Sequence, residues 1–291
     1  MGMWLAFAFG SALFSAITAI FAKVGVKRMD SHLATALRTI VVALFTWLMV
    51  FVVGSQGTIG TIPGRSLLFL FLSGLSTGAS WLCYFKALQL GDVNKVTPVD
   101  KSSTILTILL AFLFLGERPT VAMCIGIVLL GVGTWLMIRQ GTGTQAPDAG
   151  KGSNAWLLPA VLSAVFAALT SVLGKVGIQD VESNLGTALR TLVVLGMAWG
   201  IVFAQGKHRE IGAIDRKSWG FLILSGVATG LAWLCFYRAL QDGNASVVVP
   251  IDKLSVVGTI LFSRVFLREK LTRNAVIGLV LVVGGSLLLL L

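Results

Sequence analysis

Long apolar runs separated by short polar segments cover the whole chain. Read between charged or Gly/Pro positions, ten runs stand out: 4–26, 32–53, 65–89, 95–115, 120–138, 156–178, 184–205, 218–240, 246–267 and 272–291. A helix needs roughly 20 apolar residues to cross the hydrocarbon core of a bilayer. The pattern therefore predicts an all-α integral membrane protein with ten transmembrane helices and no soluble domain.

The chain repeats itself. A shift of 152 residues aligns 3–139 with 155–291 without a gap, and 60 of the 137 aligned positions are identical. Such self-similarity is the mark of a duplicated unit. We expect a first five-helix repeat in residues 1–139, a Gly- and Thr-rich linker in 140–154, and a second repeat in 155–291.

The charge of the connections predicts that the second repeat is inverted in the membrane. Each repeat has five spans, an odd number, and Lys and Arg accumulate in cytoplasmic loops. The connections on one side carry twelve Lys and Arg, whereas those on the other carry only Arg65 and Arg118. The basic set comprises 27–31, 90–95, 139–155, 206–217 and 268–273. Counted literally, this bias puts both termini on the non-cytoplasmic side.

Composition excludes the soluble classes of protein. The 291 residues are 56% hydrophobic and 12% charged, with a mean hydropathy of +0.91, whereas soluble domains are roughly a quarter charged. The net charge of +11 belongs mostly to residues that flank apolar runs, so we expect no nucleic-acid partner. Three cysteines within apolar runs do not have metal-ligand spacing, and we expect no metal and no cofactor.

Charged residues inside the spans are the first candidates for function. An ionisable group within a span costs about 2.5–3.5 kcal/mol on insertion scales. Asp100 and Asp252 are the only acids of twelve that fall within predicted spans, and each precedes a lysine, Lys101 or Lys253. We hypothesise that Asp100 pairs with Arg38 or Lys101 in one gate. The equivalent gate pairs Asp252 with Arg190 or Lys253.

Four other cations, Lys23, Lys86, Lys175 and Arg238, lie near span ends. One interpretation has them extend to the membrane interface on their long apolar stems. The other places them at a functional site inside the membrane.

Polar and aromatic positions repeat between the halves and are candidates for lining a cavity. Asp100, Ser103 and Thr107 share one helical face, as do Asp252, Ser255 and Thr259. The further candidates are Thr18, Thr170, Trp81, Trp233 and Tyr237. Helix packing is the alternative interpretation, because hydroxyls also join membrane helices.

Glycines predict where helices approach closely. Gly74 and Gly78 form a GxxxG motif, and Gly226 and Gly230 repeat it. Small faces on the fifth and tenth spans are suited to packing against each other.

Two five-helix halves, a proline early in the fourth and ninth spans (Pro98, Pro250), and the ends Gly116-Glu117 and Arg268-Glu269 together resemble the drug/metabolite transporter superfamily and its EamA-type ten-helix members. The resemblance implies a basket of spans 1–4 and 6–9 around a central cavity, with spans 5 and 10 at the side. It also implies alternating access and cytoplasmic termini, opposite to the literal charge count.

The leading functional hypothesis is a secondary transporter, an exporter of small polar or amphipathic metabolites. The sequence contains no GxxxxGK[ST] loop for nucleotide. We expect a small-molecule substrate, H⁺ as a coupling ion, membrane lipid as surroundings, a monomer, and a place in the plasma or bacterial inner membrane. The surplus of cations in the spans suits an anionic substrate. The alternatives are an intramembrane lipid-modifying enzyme and a lipid-translocating or structural membrane protein.

Overall fold

The computed structural model describes residues 2–25, 29–90, 96, 99–100, 102–138, 154–258 and 273–289, which are almost wholly helical and include no strand. The helices are α1 (Met3–Gly25), α2 (Ser31–Val53), α3 (Gly64–Leu90), α4 (Ser103–Phe114), α5 (Val121–Ile138), α6 (Leu157–Ile178), α7 (Ser183–Ala204), α8 (Arg216–Asp242), α9 (Ala245–Lys253) and α10 (Arg273–Leu288). Six of them, α1–α3 and α6–α8, are long and apolar enough to cross a membrane. The predicted all-α membrane fold is confirmed.

The ninth span differs from the continuous helix predicted over 246–267. Helix α9 ends at Lys253, Leu254 forms a turn, and the chain is helical again at 255–258. Pro250 lies inside α9, where it removes a backbone donor. The Leu254 amide donates to the Ile251 carbonyl at 2.9 Å, a three-residue bond that tightens the helix. Residues 259–267 and nearly all of the predicted linker, 140–153, lie outside the described residues.

The extensive helix contacts join one half of the chain to the other. Helix α3 packs against α6, and its repeat equivalent α8 packs against the corresponding helix α1. Three further pairs join equivalent helices of the two halves: α2 with α7, α4 with α9 and α5 with α10. Helix α3 also packs against α7, and its equivalent α8 against α2. A pseudo-twofold axis that exchanges the two halves converts the α3–α6 contact into the α8–α1 contact, and both contacts are present.

Glycines allow these contacts, as predicted. A Cβ added to Gly74 would lie 2.7 Å from the Val193 Cβ, and one added to Gly226 would lie 2.5 Å from the Val41 Cβ. In the α5–α10 pair, a Cβ on Gly126 would lie 2.8 Å from the carbonyl oxygen of Gly285. The predicted close approach at both motifs is confirmed.

The two halves are inverted relative to each other. Asp30, which precedes α2, lies 3.6 Å from Lys207, which precedes α8. At the other end of α8, the Gln241 amide donates to the carbonyls of Ile178 and Val181, both at 2.8 Å. Helix α8 is about 40 Å long at 1.5 Å per residue. The chain at Asp30, just before α2, and the equivalent chain at 178–182, just before α7, therefore lie at opposite ends, here called the Asp30 end and the Gln241 end.

The tight α3–α7 contact predicts that Gly74→Ala lowers stability by about 1–3 kcal/mol, because the new methyl group overpacks the contact with Val193. Gly196→Ala is the matched control, since a Cβ there has open space and alanine favours the helix. Thermal unfolding in detergent measures both variants. Equal midpoints would contradict the close packing.

Inversion predicts that cysteines at Ser31 and at Gln179 react with a membrane-impermeant maleimide from opposite sides. Both positions are exposed, and the test uses a chain in which Cys83, Cys124 and Cys235 are replaced by alanine. Labelling is compared in right-side-out and inverted vesicles. Labelling of both sites in the same vesicle orientation would contradict an inverted repeat.

Candidate functional site

A cavity of about 370 Å³ lies between the two halves. Its wall comes from α1, α2, α3, α6, α7, α8 and α9, and it combines hydroxyl, aromatic and charged side chains. Nine of the residues proposed from the sequence line it: Thr18, Arg38, Trp81, Thr170, Arg190, Trp233, Tyr237, Asp252 and Lys253.

Other proposed residues lie elsewhere. Asp100, Ser103, Thr107 and Ser255 are described but are not part of this wall, and Lys101 and Thr259 lie outside the described residues. The Thr107 hydroxyl donates to the Ser103 carbonyl of its own helix at 2.8 Å.

Asp100 stands behind the cavity wall. Its carboxylate accepts a hydrogen bond from Ser163 at 2.8 Å. Ser163 in turn lies beside Ser80 of the wall, whose hydroxyl donates to the Ser163 carbonyl at 3.1 Å. Of the proposed partners of Asp100, Arg38 does not contact it within the described structure.

Asp252 occupies the equivalent place in the other half and reaches the cavity directly. Its carboxylate accepts from Ser11 at 2.5 Å and from Ser15 at 3.4 Å. Ser11 and Ser163 are equivalent positions of the repeat, so both acids are held in the same way. Lys253 lies 4.0 Å from Asp252, one of the two pairings hypothesised for this gate.

The other hypothesised partner, Arg190, bonds to α3 instead. Its Nε donates to the Ser73 hydroxyl at 3.0 Å, and its Nη2 donates to the Thr77 hydroxyl. The glycine contact explains this, because α7 packs so closely on α3 that the arginine reaches the hydroxyls beside Gly74. The guanidinium carbon lies 5.2 Å from the Trp233 ring centre and 4.9 Å from that of Tyr237, within cation–π range.

The two equivalent arginines have different environments. Arg190 is only 2% exposed, and its Nη1 has no hydrogen-bond partner within the described chain. Arg38 is half-buried and lines both the central cavity and a second cavity of about 350 Å³. That second cavity reaches Ser31, so open space runs from the centre towards the Asp30 end.

The Gln241 end is closed by charged groups bound to backbone. Lys175 donates to the carbonyls of Leu240 at 2.5 Å and of Gly243 at 2.7 Å, satisfying the carbonyls at the carboxyl end of α8. Lys175 is only 9% exposed, so the interpretation that it extends to the interface is wrong.

Glu117 holds the next helix in the same corner. Its carboxylate accepts from the amides of Ala245 at 2.7 Å and Ser246 at 2.9 Å. A carboxylate at this position caps the amino end of α9 and opposes its dipole favourably. The remaining span-end cations behave differently. Lys86 is exposed, as an interfacial position requires, whereas Arg238 is half-buried and its Nε lies 3.2 Å from the Asp242 carboxylate. The side chain of Lys23 lies outside the described residues.

Sequence reasoning missed several residues of the site. Ser73, Thr77 and Ser80 fall at i, i+4 and i+7 on one face of α3, and Ser73 and Thr77 recur as Ser225 and Thr229. That repeated stripe is a signal by which they could have been found. Among the described residues, no three His, Cys, Asp or Glu side chains come together as a metal site would require.

Comparison with known proteins places the fold and the repeat in a family. The model of the EamA-like transporter family matches residues 2–139 and again residues 154–291. The chain is 44% identical over 137 residues to an uncharacterised transporter of Sinorhizobium sp., a match that covers 47% of this chain and 97% of that protein.

More distant similarities extend over more of the chain. The pseudopaline exporter of Pseudomonas aeruginosa is 24% identical over 196 residues, 65% of this chain and 62% of the exporter. A solved crystal structure with 19% sequence identity superposes with a TM-score of 0.73, covering 97% of this chain and 94% of that one. This last similarity concerns the fold alone.

The capping role of Glu117 predicts that Glu117→Ala lowers the free energy of unfolding by about 0.5–2 kcal/mol, the usual cost of losing a helix cap. Glu117→Gln keeps an acceptor oxygen and should lose less. Glu210→Ala is the control, because its exposed ion pair with Lys207 contributes little. Thermal unfolding in detergent ranks the three variants. A midpoint for Glu117→Ala no lower than the control's would contradict the cap.

Proposed function

Because the chain belongs to the EamA-like transporter family, it is an integral, multi-pass membrane transporter of a small molecule, and we propose that it exports small polar or amphipathic metabolites by alternating access. We place it in the plasma or bacterial inner membrane and propose that it works as a monomer. We prefer transport, the leading hypothesis from the sequence, over the two alternatives of a lipid-modifying enzyme and a lipid-translocating or structural protein.

One observation carries this proposal: equivalent arginines of two similar halves differ in access to the cavity. Arg190 is buried and bonded to Ser73 and Thr77, whereas Arg38 is half-buried beside a second cavity towards the Asp30 end. Lys175 and Glu117 close the other end through backbone contacts. The described residues thus leave open space towards the Asp30 end and are bonded together at the Gln241 end, as one state of an alternating-access cycle requires.

The repeat supplies the opposite state. If the two halves exchange conformations, Arg38 takes the buried place now held by Arg190. The hydroxyls that would receive it are Ser225 and Thr229, which correspond to Ser73 and Thr77. Both pairs already make equivalent contacts, since Ser225 donates to the Thr18 carbonyl at 3.2 Å and Ser73 to the Thr170 carbonyl at 2.7 Å.

We propose a proton as the coupling ion. No nucleotide-binding loop is present in the sequence, so the energy must come from an ion or substrate gradient. Asp252 is the one acidic side chain among the described residues of the cavity wall. Its carboxylate has hydroxyl partners and a nearby cation, Lys253. The Lys253 Nζ lies 4.0 Å from the Asp252 carboxylate, which is long for an ion pair, so we expect the two side chains to separate readily.

Export is supported by a relative. The pseudopaline exporter is 24% identical to this chain over 65% of its length, and that protein is an exporter by name. We carry over the direction of transport and not the substrate.

Transport by purified protein in proteoliposomes tests the function. A thermal-shift screen of metabolites identifies a solute that stabilises the protein, and flux of that solute is then measured with and without a proton gradient. We expect saturable flux that responds to the gradient. Redistribution of lipid without solute flux would contradict the proposal.

Two charge-removing variants test the site within the same assay. Arg38→Gln and Asp252→Asn should each lower flux about tenfold or more, because the first removes the guanidinium that would take the buried place in the opposite state and the second removes the carboxylate proposed to carry the proton. Lys217→Gln, at an exposed position beyond the cavity, is the control and should retain flux. Full flux in both cavity variants would contradict the assignment of the site.

A further inference from the structure

The cavity wall has an uncompensated positive charge. Among its described residues it holds three cations, Arg38, Arg190 and Lys253, and one acid, Asp252. Asp252 lies next to Lys253 and accepts from Ser11 and Ser15. Both arginines therefore stand without a carboxylate partner in the described structure.

A buried guanidinium without a counter-ion is costly, because charge is stabilised in an apolar medium only by pairing and hydrogen bonds. Arg190 has part of this compensation, from Ser73, Thr77 and two aromatic rings. Its Nη1 nevertheless has no hydrogen-bond partner among the described residues, although the residue is only 2% exposed. That atom carries two N–H groups that the described side chains and backbone leave unused.

Arg38 presents the same chemistry from the opposite half. It is half-buried in the wall of the same cavity, on α2, which packs against the Arg190 helix α7. Within the described residues Arg38 makes no hydrogen bond. Arginine binds planar or tetrahedral oxyanions through paired N–H groups, so the two side chains form two halves of an anion site.

The other residues of the cavity wall indicate which kind of molecule carries the anionic group. Trp81, Trp233 and Phe236 line the cavity beside the arginines, and such rings contact apolar and aromatic groups. The volume of about 370 Å³ is at the small end of the range for ligand sites. The site therefore suits a compact molecule with one anionic and one flat apolar part.

We propose that the cavity binds the oxyanion group, carboxylate or phosphate, of an amphipathic solute between the guanidinium groups of Arg38 and Arg190. The inference rests on the proposed function and names the class of substrate. The solute anion supplies the counter-ion that the arginines lack. The aromatic residues hold its apolar part.

Binding to the purified full chain tests the proposal with three probes of similar size: phenylacetate, phenyl phosphate and the neutral phenylacetamide. Quenching of tryptophan fluorescence, with Trp81 and Trp233 in the wall, and calorimetry report binding. We expect at least one of the two anions to bind about tenfold or more tightly than phenylacetamide, as a charge-assisted contact implies. Inorganic phosphate alone should compete with that anion, though weakly.

Variants assign the preference to the arginines. Arg38→Gln and Arg190→Gln should each reduce affinity for the bound anion about tenfold or more and change that for phenylacetamide by less than about twofold. Arg190→Met, an unbranched side chain without charge, serves where Arg190→Gln does not fold. Arg209→Gln, on the exposed segment before α8, is the control and should bind like the unmodified chain.

Two results would overturn the inference: equal affinity of the unmodified chain for phenylacetamide and both anions, or an anion preference that survives in Arg38→Gln and in a folded Arg190 variant. Flux measurements distinguish failure of the anion-site inference from failure of the proposed transport function. Saturable flux of a neutral or cationic solute without anion preference would overturn the anion site and leave transport standing. Anion binding without flux of any solute would overturn transport and leave the site.

Discussion

A hydroxyl buried within a bilayer must find its partner inside the protein, because the hydrocarbon offers none. In this chain each half supplies the partner for the other. Ser73 donates to the Thr170 carbonyl, and the equivalent Ser225 donates to the Thr18 carbonyl. These bonds join α3 to α6 and α8 to α1, the two helix pairs that pack most extensively among the described residues. The cavity is the space that remains where these pairs meet.

Three charged side chains in the described part of the protein bind to backbone or hydroxyl groups of another helix. Lys175 contacts carbonyls, Glu117 contacts amides, and Arg190 contacts hydroxyls. Such partners lie at the ends of helices or where two helices come close together. Each contact therefore depends on the position of a particular helix. Closure of the Gln241 end therefore depends on the turn between α8 and α9, which both Lys175 and Glu117 hold. Moving that turn would release both charges together.

Much of the architecture could be predicted from the sequence because the repeat makes it visible twice. The inverted halves follow from the odd number of spans in each repeat and from the charge of the connections. The glycine contacts at Gly74 and Gly226 and the wall positions Trp81 and Trp233 follow from patterns that recur after 152 residues. Contacts between helices were harder to predict. The partners of Arg190 lie on α3, more than 100 residues away in the chain, and no periodicity tells which helix faces α7.

Local backbone geometry also produces features that the sequence pattern does not predict. The turn at Leu254 interrupts an apolar stretch that reads as one span, and its cause is a combination of Pro250 and three-residue hydrogen bonds. The burial of Lys175 depends on carbonyls exposed by the end of α8, which composition does not reveal. In both cases backbone hydrogen bonds determine the local structure, whereas a hydropathy pattern contains information about side chains only.

The duplication is imperfect at the cavity, and this has an energetic consequence. Ser15, which donates to Asp252, corresponds to Ala167, and Tyr237, which lies against Arg190, corresponds to Phe85. Two identical halves would make the two conformations equal in free energy. With unequal contacts, the empty protein must favour one of them, so its resting form is decided by a few side chains where the halves have diverged.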